Sequence, residues 1–220
     1  METCSCAEAG APAATMVQTA NGPRRRHNRI RHTIPHLVLL AVVLSSVCQG
    51  ASAQDAGGDP FARGAWRFEA AAHAATEAWN YNVSHEELYG ISEGVTYGVR
   101  EGLQLVVAQR IYYVSQRAND SWLLGLTAGV RKRVYRRGRF SGFVDIQVGI
   151  SDAAIAAPPR GTRFNYIAIG GGGALWHVRR RLDLLAGLQW IHVSNNSLKG
   201  PGRNPDIEAL GPSLAMLVRF

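Results

Sequence analysis

Eight separate stretches of this chain alternate apolar with polar or small residues, and a period of two is the signature of a strand with one apolar face. In the first, residues 65 to 76, Trp66, Phe68, Ala70, Ala72 and Ala74 take the even positions, while Arg67, Glu69 and His73 take odd ones. Val95, Tyr97 and Val99 form a short second stripe. Leu103, Leu105, Val107, Ile111 and Tyr113 form a third, and Trp122, Leu124, Leu126, Ala128 and Val130 a fourth. Phe140, Val144, Ile146, Val148 and Ile150 make the fifth, and a less regular segment over residues 164 to 178 the sixth. The seventh runs on even positions from Leu182 to Trp190, and the eighth from Leu210 to Phe220. No segment sustains a helical period, so the fold class is all-β.

The connections choose between a sandwich and a barrel. Tight turns are expected around Arg100-Glu101, Arg136 to Arg139 and Arg179 to Arg181, and longer loops over residues 79 to 92, 115 to 121, 152 to 163 and 195 to 207. Short turns at one end, long loops at the other, an even strand count and a terminal aromatic, Phe220, predict an eight-stranded antiparallel up-and-down transmembrane β-barrel. Its apolar stripes would face lipid, with Arg67, Glu69, His73, Asp145 and Gln147 inside. Eight strands close on a space that side chains fill, so no pore is expected.

Ahead of the strands, Arg24, Arg25, Arg26, Arg29 and Arg31 precede the apolar run Leu37 to Val47 and then Ala51-Ser52-Ala53. This order of basic, apolar and small residues marks an N-terminal extension and cleavable signal peptide over residues 1 to 53, leaving residues 54 to 220 as the barrel domain. Cleavage would remove Cys4, Cys6 and Cys48, all three cysteines, and with them disulfide and thiolate chemistry. Losing five arginines and two glutamates also takes the formal charge from +8 to +5. For an exported chain that mild excess points to anionic lipid headgroups rather than nucleic acid, and the arginine clusters at residues 131 to 139 and 179 to 181 are read as headgroup contacts.

Two motifs carry less than they suggest. Gly170 to Gly173 fits neither phosphate-loop pattern, because Leu175 stands where a last glycine belongs, and packing room in a narrow barrel explains the run. His85-Glu86-Glu87 lacks the second histidine of a helical zinc site. No metal or other cofactor is expected.

The alternation changes character between Trp190 and Glu208, where His192, Ser194, Asn195, Asn204 and Glu208 gather. His192 and Ser194 continue the even parity of the seventh stripe, and Glu208 continues that of the eighth, so all three fall on one face of two adjacent strands. A serine hydroxyl needs a positioned base, and the base works best when an acid fixes its tautomer. Ser194, His192 and Glu208 supply those types. Asn195 and Asn204 are candidate donors to an oxyanion.

The run His192-x-Ser194-Asn195, then Leu198-Lys199 and Pro201, then Asn204-x-x-x-Glu208 near an aromatic C terminus, resembles the lipid A 3-O-deacylases (PagL family) of Gram-negative outer membranes. The resemblance implies an eight-stranded barrel with Ser194 as nucleophile, His192 as base, Glu208 as orienting acid, and Asn195 and Asn204 near the oxyanion. Asn196 and Asp206 stand where such enzymes usually carry alanine and glycine. It implies a serine-type carboxylic ester hydrolase of the outer membrane, with its site at the extracellular side. The enzyme would take the 3-position acyl chain from lipid A of lipopolysaccharide in the outer leaflet. Lys199 and Arg203 in the same loop, with Arg160 and Arg163 in the preceding one, are candidates for substrate phosphate. The expected partners are that lipid and the surrounding membrane lipids, with no nucleic acid and with a homodimer left open. The alternatives are a non-enzymatic barrel, structural or adhesive, and a phospholipase or acyltransferase on the same scaffold.

Overall fold

A computed structural model describes residues 58–79, 85–200, 202 and 204–219; the expected signal peptide, Arg203 and Phe220 lie outside the described residues. Eight strands follow in chain order: β1 (Trp66–Glu77), β2 (Glu87–Arg100), β3 (Leu103–Ser115), β4 (Ser121–Arg137), β5 (Phe140–Ala153), β6 (Phe164–Arg179), β7 (Leu182–Ser194) and β8 (Ile207–Val218). Each pairs antiparallel with the next, and β1 pairs with β8, so the sheet closes into an all-antiparallel barrel. Closure satisfies both edges of every strand, the condition for a sheet to cross a bilayer.

Register decides what faces lipid. Even positions of β1 and β4 to β8, and odd positions of β2 and β3, point outward. The outer wall is therefore apolar around its girth: Ile91, Val148, Leu188 and Leu214 are each more than 60% exposed. A belt of that kind is unsuited to water and suited to acyl chains. Aromatic pairs bound it at both ends. Trp66 with Tyr97 and Phe140 with Trp176 lie toward the short turns, and Tyr113 with Trp122 and Phe164 with Tyr166 toward the long loops.

One boundary differs from expectation. β2 begins at Glu87, so the first long loop ends there rather than at Ser92. Gly90, Ser92 and Gly94 on the inward face and Glu93 on the outward face hide the alternation, although Tyr89 and Ile91 continue its parity.

Inside, three layers stack along the barrel. Toward the long loops Leu88, Tyr112, Leu123, Ile167, Ile191, Val193 and Ile207 form an apolar cluster. Toward the short turns Phe61, Phe143, Leu175, Leu185 and Leu217 form another. Between them lies a polar network that includes the expected Glu69, His73, Asp145 and Gln147; Arg131, read from sequence as a headgroup contact, instead points inward and reaches Glu69 at 2.6 Å and Asp145 at 3.2 Å. Arg110 donates to Gln147 at 2.8 Å, and His73 joins Ser92 at 2.8 Å and Gln189 at 3.0 Å. The apolar layers were not foreseen as such, because the inward residues of each strand mix both types.

Residues before β1 close the short-turn end. Phe61 is fully buried under the Arg133 guanidinium, and Gln104 donates to the Pro60 carbonyl at 2.7 Å. Burial works to raise the Asp59 carboxyl, but hydrogen bonds from Arg133 and the Phe61 amide, with the charge of Arg136, outweigh it and hold the group below the usual carboxylate range.

Candidate active site

β7 and β8 pair so that His192 sits directly across from Glu208, and both side chains point outward with Ser194 at the end of β7. His192 Nε2 lies 2.9 Å from Ser194 Oγ, and His192 Nδ1 lies 2.6 Å from Glu208 Oε1. With a proton on Nδ1, the ring donates to the carboxylate and accepts from the hydroxyl, the arrangement in which a serine can be deprotonated as it attacks. The three groups stand where the apolar wall meets the long loops: Ser194 is 7% exposed, and the His192 and Glu208 side chains are 27% and 16% exposed. A carboxylate at this height costs little compared with one at mid-bilayer.

The loop after Ser194 turns sharply. Asn196 and Ser197 adopt left-handed backbone, with φ of 50° and 60°, and the Leu198 amide donates to the Asn195 carbonyl at 3.1 Å. Two left-handed central residues closed by that bond make a type I′ turn, for which asparagine is among the best residues with a side chain. The Asn195 amide donates to Asn204 Oδ1 at 3.0 Å, binding the two ends of the loop together, and Asn195 itself is only 1% exposed. The Asn195 amide is thus committed to loop structure. The Asn204 side chain, accepting through its oxygen, keeps its NH2 group as the candidate oxyanion donor. Asp206, at the position usually glycine, is not among the residues with positive φ, so its backbone needs no glycine.

No protein-family model and no curated protein matches this sequence. Among solved structures the chain is similar to Neisserial surface protein A, with 14% identity and a TM-score of 0.56, covering 70% of this chain and 97% of that one. It is also similar to the outer membrane enzyme PagL, with 16% identity and a TM-score of 0.46, covering 71% and 100%. The N-terminal β-barrel domain of Pseudomonas aeruginosa OprF has 15% identity and a TM-score of 0.45, covering 72% and 98%. The fold is that of the small outer-membrane barrels. At these identities the likeness reaches the fold alone, and the chemistry must come from the side chains.

On β6, His192 faces Ala168 and Ser194 faces Tyr166, so a small residue lies beside the imidazole. Above it, Ala156, Thr162, Phe164, Asn195, Leu198 and Lys199 line an open groove between the β5–β6 and β7–β8 loops. The same loops meet where Gly161 packs against Pro205. Of the basic residues expected near the site, Lys199 is exposed on the groove and Arg160 is exposed on the β5–β6 loop. Arg163 is held by its own chain, donating to Asp152 at 2.9 Å and to the Ala153 carbonyl at 2.7 Å, which leaves less of its fork for a ligand.

Two neighbours of the triad were not foreseen from sequence. Asp206 comes near the triad: one ligand atom each from His192, Asp206 and Glu208 lie within 4.8 Å of one another, close enough to hold a cation if the side chains closed in. Parity could have found it, since Asp206 precedes Glu208 by two. The second is Trp190, whose indole Nε1 donates to Glu208 Oε2 at 2.5 Å. Both Glu208 oxygens are therefore occupied by protein donors, which fits an orienting acid better than a metal ligand.

Proposed function

We propose that this barrel is an outer-membrane serine esterase that removes the acyl chain ester-linked at the 3-position of lipid A, working from the extracellular side. The observation that carries the reading is the continuous hydrogen-bonded series Ser194, His192, Glu208 on the lipid-facing wall at the long-loop rim. A soluble ester would meet such a triad in a cleft. Here it stands on the lipid-facing wall near the long loops, a position that suits an acyl ester of a membrane lipid. The run from Trp190 to Glu208, which resembles that of the lipid A 3-O-deacylases, narrows the substrate class.

In the acylation step Ser194 Oγ attacks the ester carbonyl carbon while its proton passes to His192 Nε2. Glu208, accepting from Nδ1, stabilises the imidazolium that forms, and the Asn204 NH2 group is the proposed donor to the oxyanion. Collapse of the tetrahedral intermediate breaks the bond to the sugar oxygen, which takes the proton from His192 and leaves as the alcohol. Water then attacks the Ser194 acyl ester, again losing its proton to His192, and the fatty acid departs as Ser194 Oγ is reprotonated. The groove lined by Phe164 and Leu198 is suited to an acyl chain, and Lys199 at its edge to a headgroup phosphate.

Purified protein in detergent micelles, incubated with lipid A, tests the reading by mass spectrometry of the products. Loss of one ester-linked 3-position chain with release of the free acid supports it. Cleavage of glycerophospholipid instead would make it a phospholipase, appearance of the chain on another acceptor an acyltransferase, and no turnover of any lipid a non-enzymatic barrel.

A further inference from the structure

The side chain next along the outer face from His192 is Trp190, and it touches both Glu208 and His192. Its indole Nε1 donates to Glu208 Oε2 at 2.5 Å, while its ring lies nearly parallel to the imidazole, with centroids 5.8 Å apart and planes inclined by 23°. Its partner across the β6–β7 pairing is Gly170, and the indole lies against that residue.

A carboxylate on a lipid-facing wall has few donors to choose from. If only Oε1 were held, by His192, the Glu208 side chain could rotate and present its second oxygen to solvent or to any passing cation. With Oε2 fixed by an indole N–H the carboxylate is held at two points, and its plane stays in line with the Nδ1–H of the imidazole. Trp donates one hydrogen bond and accepts none, so it cannot compete with His192 for the role of base. It also covers the pair with an apolar ring, which strengthens the ion pair that forms when His192 takes the serine proton.

We propose that Trp190 is a positioning residue of the triad, clamping Glu208 through its indole N–H so that His192 is kept in the tautomer that can accept the Ser194 proton. This rests on the serine esterase reading above. Trp190 makes no claim on the substrate and acts through Glu208.

Trp190→Phe keeps the stacked ring and the apolar wall and deletes only the donor. The expected result, with lipid A as substrate, is a fall in kcat of about ten-fold or more with KM within about twofold, as for an interaction that matters mainly in the transition state. The decisive comparison is a double-mutant cycle with Glu208→Gln. If Trp190 acts through the carboxylate, Trp190→Phe in the Glu208→Gln background costs little further activity. A merely structural Trp190 would add its full defect in both backgrounds, and would lower the unfolding temperature as well. Full additivity, or wild-type kcat in Trp190→Phe while Ser194→Ala is inactive, overturns the proposal. Activity retained in Ser194→Ala would instead sink the esterase reading itself, so the two failures are distinguishable.

Discussion

Two networks of ionisable side chains lie on opposite sides of the same barrel wall. Inside, Arg131 bridges Glu69 and Asp145 with its side chain 2% exposed, and Arg110, His73, Gln147 and Gln189 complete a web among themselves. Outside, Glu208, His192 and Ser194 form a chain that runs one way and ends at a hydroxyl on the rim. Donor and acceptor types are similar in both. The difference is that the inner groups are spent on each other in a closed, narrow space, whereas the outer chain delivers its last group to a face that lipid can reach. Buried ionic webs hold a fold in register, and a chain of the second kind can do chemistry.

The sharpest way to break this contrast is Ser194→Ala. Activity should drop to background, a loss on the order of a million-fold, because nucleophile and base act as a unit. Electrophoretic heat-modifiability and unfolding temperature should stay as in the wild type. Next in size, Glu208→Gln should lower kcat by about 10⁴-fold, as expected when the orienting acid loses its charge and the imidazole its tautomer. Again the fold should be unaffected, since this pair lies on the rim. His85→Ala is the control for histidine loss at the same end: His85 is exposed and lies 3.4 Å from the Glu77 carboxylate, its ion-pair partner, and its variant should remain active.

The opposite arm of the contrast is Arg131→Met. Two carboxylates would then be left facing each other without their cation, and removing one partner of a buried pair costs ~3–5 kcal/mol. Unfolding in urea should shift accordingly while turnover per folded molecule is unchanged. Substantial loss of specific activity in Arg131→Met would mean that the interior network reaches the site. The smallest effect is expected from Lys199→Ala with Arg160→Ala. Exposed charges are worth no more than ~1 kcal/mol each, so KM for lipid A should rise several-fold with kcat retained, and the rise should shrink on dephosphorylated lipid A.

Much of this arrangement was legible from alternation, and the exceptions have physical causes. Strand count, closure and lipid-facing parity followed from period two, since a one-residue slip would have put Arg67, Glu69 and His73 into lipid. The start of β2 was hidden because small residues replace large ones on its inward face and Glu93 interrupts its outward one. His192, Ser194 and Glu208 could be placed on one face by parity alone, but their distances could not, because register across β7 and β8 sets them. Trp190 was read as one more apolar residue of a stripe. An indole's donor is silent in a hydrophobicity pattern and becomes visible only when its acceptor on the next strand is located. Likewise the commitment of the Asn195 amide to Asn204 depends on how the loop folds back.

The central claim is that the rim triad cleaves an acyl ester of lipid A, and the most direct measurement is the mass of lipid A extracted from cells making the protein. Cells with the wild-type chain should show lipid A lighter by one ester-linked 3-position acyl chain, and cells making equal amounts of folded Ser194→Ala should show lipid A of unchanged mass. Identical lipid A in wild-type and host cells, or the same loss of mass with Ser194→Ala, would contradict the account.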